Sequence, residues 1–176
     1  MRKAMKTTLA VLASLAFIPA AATASLRVGS PFPGEVTTAT YYSSGNFHGA
    51  VDIASGTCNS WGVQTGVVGS MFWNVTIATT AIMCGGGSGV SNPNTVKHTF
   101  ADDFVFRQWH FIKTPASVDK TCDRCQIGNE GGTGNVTSPY THMQYDLYGS
   151  NLTGWYSSYT TRGEFLDRGE TVGYIQ

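Results

Sequence analysis

Asn46-Phe47-His48-Gly49-Ala50-Val51-Asp52-Ile53-Ala54 is the stretch on which the reading of the fold turns. Read as an extended strand over Ala50 to Ala54, with a side-chain period of two, it places His48 and Asp52 on one face, an imidazole and a carboxylate four residues apart. Working outward, comparable short runs rich in Val, Thr, Tyr, Phe and Trp recur between glycine-rich turns, and none keeps apolar residues at helical spacing for long. The runs are Val36 to Tyr42, Gly66 to Met83 with an internal break, Val96 to Phe100, Phe104 to Ile112, Thr141 to Tyr148 and Thr171 to Ile175. Loops are expected over Cys84 to Asn94, with its Gly85-Gly86-Gly87 run, and over Gly128 to Pro139. The pattern predicts a mainly β, single antiparallel sheet domain, sandwich- or barrel-like, with long glycine-rich loops. Ser150 to Arg168 fits no element; its Trp155, Tyr156 and Tyr159 suit core, surface or a cleft wall equally.

The amino terminus reads as a leader. Arg2, Lys3 and Lys6 precede an apolar run, Thr8 to Ala20, that is too short to span a bilayer, and Ala22-Thr23-Ala24 is a small-residue cleavage site. Residues 1-24 are expected to be removed before Ser25, leaving one domain of residues 25-176, secreted or periplasmic, with no membrane span. Export leaves eight basic residues against eleven acidic ones, which gives no electrostatic case for binding nucleic acid. All four cysteines, Cys58, Cys84, Cys122 and Cys125, lie in the exported part, where disulfides are the default. Four cysteines allow three pairings, and proximity favours Cys58 with Cys84 and Cys122 with Cys125. A zinc ribbon at Cys122-Asp123-Arg124-Cys125 would need a second such pair.

The four histidines are His48, His98, His110 and His142. A neutral imidazole and a carboxylate are ligands for first-row metals, and a mixed His/Asp set suits Zn²⁺. By itself His-x-x-x-Asp is a common surface pair.

The flanks add to it. Pro31-Phe32-Pro33-Gly34-Glu35-Val36 followed by Asn46 to Ala54 resembles the opening signature of the lysostaphin/LytM family of zinc endopeptidases, with Ala50 where a glycine is usual. Ile127-Gly128-Asn129-Glu130-Gly131-Gly132-Thr133-Gly134-Asn135-Val136-Thr137-Ser138-Pro139-Tyr140-Thr141-His142 lies without a gap along that family's run ending in His-x-His. Between them, Gln108-Trp109-His110-Phe111 looks like its Tyr-x-His-Leu. The resemblance implies a LytM-like fold in which one Zn²⁺ per chain is held by His48, Asp52 and His142, with His110 as the catalytic histidine. It implies cleavage of peptide bonds in peptidoglycan cross-links or glycine-containing peptides, by a monomer.

Tyr140 stands where the family has the first histidine of His-x-His, and as a phenol it remains a donor to an oxyanion. A second register, with a two-residue insertion, would make Gln144 the ligand and His142 the first histidine. His98 falls in none of the blocks and is assigned a structural role. Trp61, Trp73 and Trp109 suit either a substrate groove or the core, the core being the commoner place for tryptophan in a small β domain. The alternatives to an enzyme are a module of the same fold that binds cell walls or regulates a hydrolase, and a disulfide-held structural domain.

Overall fold

The computed structural model describes residues 26-66, 72-86, 92-99, 104-113, 120-121, 124-147, 150-151 and 160-175. The expected leader, residues 1-24, together with Cys122 and the aromatic residues of 152-159, lies outside them. The described residues contain strands and turns and no helix. The strands are β1 (Leu26–Gly29), β2 (Gly34–Thr38), β3 (Ala50–Ala54), β4 (Gly62–Gln64), β5 (Phe72–Thr76), β6 (Thr95–Thr99), β7 (Phe104–Trp109), β8 (Lys120–Thr121), β9 (Gln126–Asn129), β10 (Thr141–Leu147), β11 (Ser150–Asn151), β12 (Phe165–Leu166) and β13 (Thr171–Ile175). The expectation of a mainly β, antiparallel domain is met. Most strands join one nine-stranded sheet in the order β12-β2-β3-β10-β7-β6-β5-β8, with β11 against β10, and two-stranded ribbons β1-β13 and β4-β9 flank it.

Strand alternation separates a core face from a second face. Val51 and Ile53 of β3, Met143 and Tyr145 of β10, and Phe106 of β7 are almost wholly buried and pack with Phe32, Phe111, Ile127 and Leu166. Full burial of each such side chain contributes roughly 1.5–3 kcal/mol, and a one-residue slip of any central strand would turn that set outward. The register is therefore pinned, and it fixes the other face too. Across the sheet Asp52 pairs with His142, His142 with Trp109 and Trp109 with Thr95. The next row on that face is Ala50, Gln144, Arg107 and Lys97.

Several strand ends differ from the sequence reading. β2 stops at Thr38 because it bulges between Val36 and Thr38, after which Tyr41 to Phe47 forms a tight antiparallel excursion with Tyr42 N–H donating to Asn46 O at 2.9 Å. β7 ends at Trp109 because His110 turns to φ 79°. The Cys58–Cys84 disulfide is formed; Cys125 is also disulfide-bonded, and its expected partner Cys122 lies outside the described residues. His98 is fully buried on β6 beside Phe106, in keeping with a structural role. Trp61 departs from the core reading: it is 42% exposed, with the Arg168 guanidinium 5.9 Å above its ring. No helix among the described residues is long and apolar enough to cross a membrane.

Candidate metal centre

The β3–β10 register brings the ligand atoms of His48, Asp52 and His142 to within 4.8 Å of one another, although His142 is 90 residues distant from Asp52 along the chain. Asp52 Oδ2 lies 3.3 Å from His48 Nε2, and Asp52 Oδ1 lies 2.8 Å from His142 Nδ1. All three residues are buried. Among the described residues no Lys or Arg pairs with Asp52; its ion-pair partners are the two rings.

His48 sits just before β3, where Gly49 takes φ 70° so that the chain can turn from the preceding excursion into the strand. Its Nδ1–H points at the carbonyl oxygens of Ala39 at 2.9 Å and Ala50 at 3.1 Å. Carbonyls only accept, so Nδ1 carries a proton and Nε2 is the nitrogen turned toward Asp52. A mixed nitrogen–oxygen set of three suits a divalent zinc ion. Backbone carbonyls behind a ligating histidine also orient it and raise its basicity.

His142 is held by stacking. The indole of Trp109, its cross-strand neighbour, lies parallel to the imidazole with centroids 4.5 Å apart and planes at 11°. Trp109 is thus half-buried against a site residue, neither simple core nor free groove wall. The residues flanking Trp109 in sequence carry no sign of this cross-strand pairing.

His110 is placed by backbone strain. Its positive φ, rare for a residue with a side chain, turns the ring out of the strand to stand 6.1 Å from the His142 ring and 4.7 Å from that of Tyr140. Asn94 and Thr133 hold it there. His110 N–H donates to Asn94 O at 3.0 Å, its Nδ1–H donates to Thr133 O at 2.8 Å, and Asn94 N–H donates to Thr133 Oγ1 at 2.9 Å. Burial lowers the His110 pKa to about 4, opposed by the Thr133 carbonyl and lowered a little further by His142. The ring is neutral, with its lone pair on Nε2. Nothing in the sequence singles out Asn94 or Thr133, since each acts through its own backbone and amide or hydroxyl rather than through a recognisable spacing.

Tyr140 lies one residue before β10 rather than on the strand, its N–H donating to Gly131 O at 3.1 Å. Burial, with Asp52 and Tyr42 nearby, raises its phenol pKa, so the hydroxyl keeps its proton. Tyr42, unremarkable in the sequence, packs on His48 at 4.6 Å between centroids and is likewise raised, by burial and Asp52. Gln144 Oε1 is 3.2 Å from His142 Nε2, on the side of the ring away from Asp52.

No family model matches the chain, and no curated protein matches it. Among solved structures it is similar to a protein assigned to peptidase M23 from Pseudomonas aeruginosa, at 18% identity and TM-score 0.49, over 73% of this chain and 49% of that one. It is similar to a zinc-containing peptidase from Vibrio cholerae at 17% identity and TM-score 0.42, over 72% and 39%. A third similarity is to a histidine-substituted catalytic domain of the prophage-encoded M23 protein EnpA from Enterococcus faecalis, at 18% identity and TM-score 0.40, over 86% and 95%. The chain spans about half or less of the length of the first two.

Proposed function

We propose that the chain is a secreted zinc-dependent endopeptidase that cuts peptide bonds in peptidoglycan cross-links. The observation that carries this reading is the convergence of two imidazole nitrogens and one carboxylate within 4.8 Å of one another, all on buried residues. Three protein ligands leave a coordination position open, as a catalytic zinc requires and a closed structural zinc does not. Zinc held by His48, Asp52 and His142 would supply a Lewis acid that polarises a peptide carbonyl and acidifies water.

The chain's own groups have separable tasks. His110, kept neutral by burial and with Nδ1–H committed to Thr133, offers Nε2 to accept a proton from attacking water. Tyr140, kept protonated, offers its hydroxyl to the oxygen on which negative charge develops. Exposed Tyr41, Tyr42 and Phe47 stand beside His48 and would form one wall for an extended peptide. A cavity of about 400 Å³, lined by Thr76, Pro93, Thr95, Lys97 and Arg107, would continue the same face. Peptidoglycan as substrate follows from the resemblance of the three sequence blocks, and the disulfide agrees with an exported protein.

The test is release of new amino termini from purified cell walls by the zinc-loaded mature protein, with His110→Ala as control. A second reading, a wall-binding module without turnover, is favoured by one observation: Tyr140 occupies the position of a family histidine. That reading predicts wall binding with no new termini from either protein.

A further inference from the structure

Behind His142, on the second face of the sheet, lies a line of polar groups that the metal-centre reading does not use. Gln144 Nε2–H donates to Asp146 Oδ1 at 2.7 Å, and Arg107 Nε–H donates to Asp146 Oδ2 at 2.7 Å. Asp146 is 5% exposed, and Arg107 is the cross-strand neighbour of Gln144. His142, Gln144 and Asp146 follow one another at the strand period of two, so the line runs along one face of β10.

The chemistry of the groups gives the line a direction. Arginine can only donate, and a carboxylate paired with it can only accept. Gln144 must therefore turn its NH₂ toward Asp146, which leaves its carbonyl oxygen toward His142 Nε2. That oxygen only accepts, as does Asp52 Oδ1 2.8 Å from Nδ1, so a cation that takes the Nδ1 lone pair leaves the ring proton on Nε2, where Gln144 receives it. Gln144 thus holds Nε2 and leaves Nδ1 turned toward Asp52 and the centre. Trp109, stacked on the ring, keeps it from rotating out of this plane.

We infer that Arg107, Asp146 and Gln144 are positioning residues which accept the Nε2–H of His142 and so favour Nδ1 as a metal ligand. The inference rests on the metal-centre reading for its purpose, and on the Arg107–Asp146–Gln144 hydrogen-bond directions for its mechanism. It distinguishes two substitutions that a packing role would treat alike. Gln144→Met keeps the volume and removes the acceptor, so Nε2–H loses its partner. Asp146→Asn goes further. With its oxygen kept by Arg107, the introduced amide would present NH₂ to Gln144, which must flip and present its own NH₂ to His142. The imidazole proton would then be driven to Nδ1, onto the ligand atom.

The experiment has two readouts. Nitrogen-15 NMR of the histidine rings in zinc-loaded protein reports which nitrogen of His142 is the ligand and which carries the proton, and chelator competition reports zinc affinity. The expected result in the wild type is zinc on Nδ1 with the proton on Nε2. Zinc affinity should fall about 10- to 100-fold in Gln144→Met and at least as far in Asp146→Asn. Zinc on Nε2 of His142, or wild-type zinc affinity in both folded variants, would overturn the relay while leaving the metal centre standing. A wild type that binds no zinc would instead overturn the metal-centre reading and the inference with it.

Discussion

Replacing His98 by glutamine should make the fold less sensitive to acid by about 3 kcal/mol. His98 is fully buried in β6, and burial lowers its pKa from 6.5 to about 4 against a partly compensating hydrogen bond with Gln108. A fall of that size corresponds to about 3 kcal/mol. Between pH 6.5 and 4 the unfolded chain holds a proton on this ring and the native chain does not, so stability decreases as pH falls through that window. The contribution is fully present above 6.5 and gone by about 4. Glutamine has no titration there. The assay is urea unfolding followed by tryptophan fluorescence at pH 7.5, 6, 5 and 4, with a chelator present so that metal release adds nothing. The loss of unfolding free energy from pH 7.5 to 4 should be about 3 kcal/mol smaller in His98→Gln than in wild type. His110, also lowered to about 4, contributes with the same sign to both proteins and cancels in the comparison. Parallel pH curves would refute the reasoning, whatever the absolute stability of the variant.

Three further outcomes are expected. Tyr140→Phe should keep zinc and fold but lower turnover of wall peptides by roughly 10²-fold, and Tyr140→His should retain or raise it; steady-state release of amino termini measures both. Removing the Cys58–Cys84 bridge, which spans 26 residues, with a double serine variant should cost about 3–4 kcal/mol in urea unfolding; thiol labelling of the denatured wild type should find no free cysteine. Gly132→Ala should destabilise by about 1–3 kcal/mol and depress activity. Its Cβ would run into the backbone nitrogen of Gly85 and come within 2.7 Å of the Cys84 carbonyl carbon, while the adjacent Thr133 holds His110; thermal unfolding and turnover read the two effects.

The sequence is most informative where strands are long and their alternation is enforced by a core. Ala50–Ala54 and Thr171–Ile175 have the expected bounds, and Thr141–Leu147 agrees as far as the described residues reach. β4, β8, β11 and β12 are not legible in it, because two or three residues cannot display a period and such strands are created by their partners. The glycines of β9 suggest the start of a loop; it is a strand because its Ile127 is buried and Gly62 to Gln64 pairs with it. The pattern makes β7 three residues too long because apolar Phe111 and Ile112 continue it. Nothing in residue type announces the positive φ of His110. At the site, His48 and Asp52 are visible as a local pair, and His142 is reached through the resemblance. The supports from Asn94, Thr133, Trp109 and Asp146 depend on contacts between strands distant in sequence, which one sequence does not disclose.

The central claim is that His48, Asp52 and His142 form one zinc site, and metal analysis tests it most directly. The mature protein, dialysed against zinc and then against metal-free buffer, should retain about one zinc per chain. His48→Ala, Asp52→Ala and His142→Ala should each lose most of it while remaining folded by circular dichroism. A folded wild type that emerges free of zinc, or alanine variants that retain it in full, would contradict the account.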